Sequence, residues 1–180
     1  MVEELKAKAR RIWEEIIPNG DVDRLAEVIA EDGIDHSARP DELQGLAGAQ
    51  QTTRWLGSVF SDQCWKIHQV IGEGDTVVVY CTLHGRHTGN LLGIPPTNRE
   101  VAMDYVHIVH FRDGKVADHW GIRDDMALMR QLGVMSGPPT LRPGSSARPG
   151  WRTSTRSRPA SPPSSCRATW RRALQSISRR

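Results

Sequence analysis

The sequence has few of the features that indicate a metal centre or a membrane protein. Its three cysteines stand apart, without the close spacing of a zinc site. No apolar run approaches the roughly 20 residues that a membrane-spanning helix needs. The N-terminal stretch MVEELKAKARR is charged and resembles a helix rather than a secretion signal. We therefore expect a cytoplasmic protein that does not associate with membranes.

Acidic residues are missing from the C-terminal part of the chain. Residues 136–180 contain ten Arg, ten Ser and seven Pro, with no Asp, Glu or Lys. The rest of the chain keeps 14 of the 24 basic residues and all 21 acidic ones, so its net charge is −7 although the whole chain carries +3. Too few apolar residues remain in the tail to offset the entropy cost of ordering it, which predicts disorder. It is either a basic arm for nucleic acid or anionic lipid, or an extension without function, such as the translation of a shifted frame.

Residues 1–135 have the pattern of a single α+β domain, with helices first and strands afterwards. Helices are predicted over residues 2–17, over DVDRLAEVIAED (21–32) and over residues 44–60. Two strand pairs follow, the second around the turn RDG, and the helix DDMALMRQLG closes the domain with Gly133 at its C-terminal cap. These elements predict helices packed on a curved antiparallel sheet, with a pocket between the two layers.

The histidines do not form a metal-binding pattern, although all seven lie in the domain. His84 and His87 are three residues apart on a predicted strand, as are His107 and His110. Side chains alternate along a strand, so the members of each pair face opposite sides and cannot hold one ion together. The sequence also lacks an HExxH motif and a two-histidine, one-carboxylate pattern. No metal site is predicted.

The octapeptide DHWGIRDD (118–125) brings carboxylates next to a histidine, directly after the RDG turn. A three-residue turn would place His107 opposite His119 and diagonal to Gly121. A two-residue turn would reverse the parity and place His107 on the face of Asp118, Trp120 and Asp124. In either register an imidazole lies near polar groups, and this arrangement is typical of a proton-transfer site. The alternative is a surface hairpin with solvated charges.

Three segments resemble, in order and spacing, the SnoaL-like polyketide cyclase (ester cyclase) family: HGRHTGNLLGIPPTNRE, YVHIVHFRDGKVADHW and DDMALMRQLG. The resemblance covers about residues 2–135. It implies a nuclear-transport-factor-2-like α+β cone with an internal pocket, no cofactor and a homo-oligomeric assembly. Members of this family close a ring of an anthracycline-type polyketide ester by intramolecular aldol condensation. An aspartate acts there as general acid and base and a histidine assists.

The resemblance assigns four catalytic candidates: His107, His119, Asp118 and Asp124. It also exposes a departure, because the catalytic aspartate of ring-closing relatives stands two residues after the strand histidine, where this chain has Gly121. Glycine cannot transfer a proton. If the chain is an enzyme, other residues must do the acid–base work, with His107 as the base and His119, Asp118 or Asp124 as its partner.

Seven residues are predicted to line the substrate pocket: His36, Trp55, Arg86, His87, Tyr105, Trp120 and Gly121. Tyr105 shares strand parity with His107, which makes its hydroxyl a donor to the same ligand. His36 is included on the resemblance alone. Two alternatives stay open. A tryptophan such as Trp55 is more often a core residue than a ligand-stacking one, and Arg86 fits a solvated strand residue as well as a ligand contact.

Three functions remain at this point. The first is a cofactor-independent cyclase or related enzyme of polyketide metabolism, acting on a small hydrophobic or aromatic polyketide-like ligand as a homodimer or homotetramer. The second is a non-catalytic protein of the same fold that binds such a ligand or assists a hydroxylase, as favoured by Gly121. The third and least favoured is nucleic-acid binding through the Arg-rich tail, to which the high isoelectric point of the chain belongs.

Overall fold

The N-terminal helical stretch buries the apolar face that its sequence predicts. A computed structural model describes residues 1–135, so the predictions for residues 136–180 lie outside the described residues. The stretch runs through α1 (Val2–Arg11), a π-helical segment (Ile12–Ile16) and α2 (Ile17–Asn19). Its buried side chains are Leu5, Ala9, Ile12, Trp13 and Ile16. π-Helical turns are rare and occur frequently at functional sites.

The other elements form one five-stranded sheet covered by helices. They are a 3₁₀ helix (Val22–Glu27), β1 (Ile29–Asp35), α3 (Gly45–Val59), β2 (Phe60–Glu73), β3 (Thr76–His87), β4 (Glu100–Arg112), β5 (Lys115–Arg123) and α4 (Asp125–Leu132). The strand order is β1-β5-β4-β3-β2. α1 packs on β2 and β3, α3 on β1, and α4 on β4. This is the predicted α+β class, with helices on a curved sheet.

The second predicted helix was wrong, and the sheet is mixed rather than antiparallel. Only Val22–Glu27 is helical, as a 3₁₀ helix, and Ile29–Asp35 forms β1, which pairs parallel to β5. The pairing gives β5 a second neighbour and buries Val28 and Ala30. Tertiary hydrogen bonding of this kind overrides a weak local preference for helix. No helix within residues 1–135 combines the length and the apolar character needed to cross a bilayer.

The inner face of the sheet supplies most of the core. Its buried residues on β3 and β4 alternate along each strand and include Val77, Val79, Cys81, Leu83, Val101, Met103, Tyr105, His107 and Val109. His107 is therefore part of a continuous apolar layer, against which the N-terminal helix packs. A polar ring in such a layer needs a structural or functional reason.

The turn between β4 and β5 contains two residues, Asp113 and Gly114. Both have positive φ, at 53° and 74°, and Arg112 pairs with Lys115 across the turn. Two left-handed residues in succession define a type I′ hairpin, the geometry that Asp-Gly favours. The two-residue alternative from the sequence is therefore the one that forms.

A β-bulge then reverses the parity that this turn would impose. The β4–β5 register shifts after His110, so that Ala117 on β5 is the extra residue. A bulge moves every later side chain of its strand to the other face. His107 consequently pairs with Gly121, and His119 lies diagonal to it on the same inner face. The structure thus combines the two-residue turn with the side-chain parity expected from the three-residue turn.

Candidate active site

His107 is the buried centre of the candidate site. Its side chain points inward from β4, and only 5% of the residue is exposed. Its Nδ1 lies 3.0 Å from Nε2 of His119, so the two rings share one hydrogen bond. The structure thereby brings together two of the four predicted catalytic residues.

Three aromatic rings enclose His107, and we call them the aromatic cage: Trp13, Trp65 and Tyr105. Trp13 stacks on the imidazole with 4.4 Å between ring centroids, Tyr105 stacks at 5.1 Å, and Trp65 is tilted at 5.7 Å. Trp13 reaches this position from the π-helical segment. The cage is the environment in which an aromatic ligand would be held by stacking.

Two polar atoms inside the cage are buried without a hydrogen-bond partner among the described residues. They are Nε2 of His107 and the indole Nε1 of Trp65. A buried polar group without a partner costs about 1–3 kcal/mol, so such pairs usually mark a place for a ligand or a water. Trp65 can only donate a hydrogen bond, whereas His107 can accept one in one of its neutral forms.

Asp35 approaches the same site from β1. The parallel β1–β5 pairing aligns Asp35 with His119, and Oδ1 of Asp35 lies 3.1 Å from Nδ1 of His119. The backbone N–H of Ser37 also donates to Asp35 Oδ1, at 2.9 Å. Burial alone would raise the pKa of Asp35, but the hydrogen bond and charge of His119 and the donors of Ser37 together lower it. Asp35 is thus a stable carboxylate beside a histidine.

Burial holds the pKa of His107 well below the usual histidine value. Desolvation is the larger cause, His119 lowers the pKa further, and the carboxylate of Asp35 opposes both. Transfer of a charged imidazolium into an apolar cage is costly, so the neutral ring is the resting form. A neutral imidazole offers one ring nitrogen as a base.

Gly121 leaves the space beside His119 free of a side chain. A Cβ at this position would lie 3.3 Å from Cε1 of His119 and 3.5 Å from Oγ of Ser37. The backbone N–H of Gly121 donates to that same hydroxyl of Ser37. An aspartate here would therefore extend its carboxylate next to the His107–His119 pair, as the resemblance implies for ring-closing relatives.

Three other predicted site residues lie together on the outer face of the sheet. Nε2 of His36 lies 2.9 Å from Asp118 Oδ1, and the His36 ring stacks flat on Trp120 at 4.3 Å. The second carboxylate oxygen of Asp118 faces His110 at 3.6 Å. The hydrogen bond from His36 is the main reason that the pKa of Asp118 is lowered. The structure does not bring these residues to His107.

Asp124 and Trp55 have other neighbours in the structure. Asp124 is the N-cap of α4, and its side chain accepts a hydrogen bond from the backbone N–H of Ala127 at 2.9 Å. Trp55 lies on α3, partly buried against the core. These contacts support a capping role for Asp124 and a packing role for Trp55.

Arg86 and His87 lie at the far end of β3, seven and eight residues from Val79, the partner of His107, or about 23 and 26 Å along the strand. Arg86 pairs with Glu100 at 2.8 Å and is exposed. His87 is buried on the inner face, where its Nδ1 lies 3.1 Å from the Thr97 hydroxyl. His84 faces the other side of the strand, as the alternation predicts.

Sequence reasoning missed three residues of this site: Trp13, Asp35 and Trp65. Asp35 was part of the loop expected between two helices, and it reaches His119 only because β1 is a strand. The run IAEDGID offered a signal, since Ile29 and Ile34 with a glycine fit a short edge strand. Trp65 begins the predicted strand WKIHQV, but nothing in the sequence places its ring beside His107.

Comparison with known proteins identifies the class that this fold and histidine pair define. The model of the SnoaL-like polyketide cyclase family matches residues 7–132. The match covers well over half of the chain, and the chain belongs to this family.

Relatives and solved structures agree with that assignment. Over 114 residues the chain is 33% identical to the nogalonic acid methyl ester cyclase of Streptomyces nogalater, covering 57% of this chain and 84% of that protein. The aklanonic acid methyl ester cyclase DauD of Streptomyces sp. strain C5 is 32% identical over 118 residues, or 63% and 73% of the two chains. The structure of TsrD from Streptomyces laurentii superimposes with a TM-score of 0.65 at 26% identity, covering 74% and 95%.

Proposed function

We propose that this chain is a polyketide cyclase that closes a ring within a polyketide ester by an intramolecular aldol reaction. Its family and its relatives, which act on nogalonic and aklanonic acid methyl esters, support the substrate class. The observation that carries the proposal is the buried His107 imidazole, whose Nε2 has no partner among the described residues and lies within the aromatic cage.

The reaction needs a base and an electrophile within one molecule. The base removes a proton from a carbon next to a carbonyl group, and the resulting enolate carbon attacks a ketone carbon of the same substrate. The new carbon–carbon bond converts that ketone oxygen into an alkoxide, which takes up a proton. No atom is lost, so the product is an isomer of the substrate. General acid–base catalysis of such a step contributes about 10²–10⁴-fold.

His107 and Trp65 supply the two polar functions that this reaction needs. Nε2 of His107 is placed to take the carbon-bound proton and to return it to the alkoxide. The indole N–H of Trp65 is a fixed donor for the oxygen on which negative charge develops. A donor aimed at such an oxygen in a dry site stabilises the transition state more than it would in water. Tyr105 and Trp13 hold the substrate rings by stacking.

Entry of the substrate requires the cage to open. Nε2 of His107 is buried, so the rings that cover it must separate before a ligand can reach it. Trp13 is the ring most directly stacked on His107, and it lies in the π-helical segment, a rare geometry that occurs frequently at functional sites. Movement of this segment is the opening that we propose.

Non-catalytic ligand binding is a second candidate, and Gly121 is the observation that favours it. The family acid is absent from this position, while the cage would still hold an aromatic molecule. The two candidates differ in outcome, because a binding protein would take up a polyketide ester reversibly and leave it unchanged.

A matched pair of variants tests the proposal. The wild type is incubated with aklanonic or nogalonic acid methyl ester, and formation of an isomer of equal mass is followed by liquid chromatography and mass spectrometry. We expect His107→Gln to lower kcat by about 10²-fold or more, while His110→Gln, on the same strand but the outer face, stays within about threefold. Saturable binding without turnover would favour the binding protein, and full activity of His107→Gln would refute the role of that residue.

The cytoplasmic location and the homodimeric or homotetrameric assembly stay predictions. The only support for an assembly of identical chains is the resemblance to the family. Light scattering after size-exclusion chromatography would measure the mass in solution, and a mass equal to one chain would contradict the predicted assembly.

A further inference from the structure

We propose that Asp35 and His119 form a proton relay with His107 and replace the acid that Gly121 lacks. The inference rests on the proposed function, because it assigns the path of the proton within that reaction. Asp35 Oδ1, the two ring nitrogens of His119 and Nδ1 of His107 lie in one chain, with contacts of 3.1 Å and 3.0 Å. Asp35 does not touch the substrate in this scheme and is a positioning residue.

The proton positions in the resting relay follow from the carboxylate. An ionised Asp35 can only accept, so Nδ1 of His119 must carry the proton that it donates. Nε2 of a neutral His119 is then an acceptor, and Nδ1 of His107 must donate to it. That leaves Nε2 of His107 with a free lone pair, directed into the aromatic cage. One carboxylate thereby fixes the tautomers of both rings and makes His107 a base.

The relay also keeps the transferred charge away from the most buried ring. When the substrate C–H bond breaks, Nε2 of His107 takes the proton and the electron pair stays on the substrate as an enolate. Nδ1–H of His107 passes its proton to Nε2 of His119, which becomes an imidazolium held by the carboxylate of Asp35. The end state has a neutral His107 protonated at Nε2 and an ion pair of His119 and Asp35, and the reverse sequence returns one proton to the alkoxide.

Burial explains why the positive charge ends on His119, beside Asp35, rather than on His107. His107 is 5% exposed, whereas the side chains of His119 and Asp35 are 26% and 36% exposed. The negative charge of the resting relay therefore resides at its most solvated member. Removal of the carboxylate would leave a protonated His119 without a charge partner, which the partly buried surroundings disfavour.

Spectroscopy of the histidine rings tests the relay independently of turnover. We would record ¹⁵N shifts and ring proton couplings of the wild-type protein labelled at histidine, at pH 7.5. The expected result is that His107 and His119 are both neutral and both protonated at Nδ1. An Nε2-protonated His107, or a positively charged His119, would overturn the proposal, because either form removes the free lone pair.

Substitution of the carboxylate supplies the kinetic test. Asp35→Asn keeps the size of the side chain but carries no negative charge to stabilise a protonated His119, so kcat should fall by about 10²-fold while KM changes less than about threefold. Asp32→Asn is the matched control, since Asp32 is on the same strand and pairs with Arg112 outside the site. Wild-type kcat in Asp35→Asn would overturn the relay, as would an equal loss in the control.

The two tests separate the relay from the proposed function. If the wild type turns over no polyketide ester, the cyclase proposal fails, while the tautomers of His107 and His119 still decide the arrangement of the relay. If the wild type is active and Asp35→Asn does not fold, the wild-type tautomers alone decide. If the enzyme is active and the tautomers are reversed, the cyclase proposal survives and the relay is refuted.

Discussion

Acid should destabilise this protein through His107 before its carboxylates titrate. Burial lowers the pKa of His107, and His119 lowers it further against the opposing charge of Asp35. A group whose pKa is lower in the folded state contributes stability above its unfolded value, about 6.5 for histidine. That contribution is lost as the pH falls below 6.5, because the unfolded chain binds a proton that the folded chain rejects.

The size of the effect follows from one proton. Between the folded and unfolded pKa values the free energy of unfolding falls by about 1.4 kcal/mol for each pH unit. His107 alone should therefore remove about 1.4 kcal/mol between pH 7.5 and 5.5, most of it below pH 6.5. Asp35 and Asp118 contribute little in this window, because their lowered pKa values make their stabilisation disappear only near and below the unfolded value of 3.8.

Urea unfolding at pH 5.5, 6.5 and 7.5 directly measures how the free energy of unfolding changes with pH. His107→Phe keeps an aromatic ring in the cage but cannot titrate, so its free energy of unfolding should vary less with pH than that of the wild type. His110→Gln, which removes an exposed imidazole from the outer face of the same strand, is measured alongside as the matched variant. Parallel curves for the wild type and His107→Phe would refute the conclusion that His107 is buried in its neutral form.

Three further substitutions test the outer face of the sheet, position 121 beside His119 and a close backbone contact at Gly89. Asp118→Asn should change kcat by less than about threefold in the cyclase assay, because Asp118 pairs with His36 on the outer face. Gly121→Asp should fold, since its Cβ meets His119 at 3.3 Å and only a small shift is needed, and turnover should rise less than tenfold if the relay already acts. Gly89→Ala should lower the free energy of unfolding by about 1–3 kcal/mol in urea titrations, because its Cβ would lie 1.9 Å from the carbonyl oxygen of Ser58.

Local sequence patterns predicted the elements whose stability is local. The apolar face of α1, the Asp-Gly turn and the glycine cap of α4 each depend on residues within a few positions of one another, and each forms as predicted. β1 depends instead on parallel pairing with β5, far away in the chain, and its segment also fits a helical period. The helix predicted there was wrong because a distant partner, not the segment itself, decides its conformation.

The site was predictable only in part for the same reason. The sequence placed His107 and His119 near each other, and the hairpin register decided whether they share a face. The bulge at Ala117 sets that register, and no glycine or proline marks it. Asp35 could not be assigned at all until β1 was known to be a strand, since its neighbour His119 belongs to another part of the chain.

The position of the acid relative to His119 explains how a glycine at position 121 is compatible with catalysis. Residue 121 would approach the His119 ring from along β5, whereas Asp35 approaches its other nitrogen from the paired strand. A carboxylate at either place is a charge partner for the same imidazole, so the function of the acid can move between strands while the histidine pair stays. β5 lacks an aspartate at position 121, but the carboxylate of Asp35 still lies beside His119. In this chain the carboxylate beside His119 therefore comes from β1 and not from position 121 of β5.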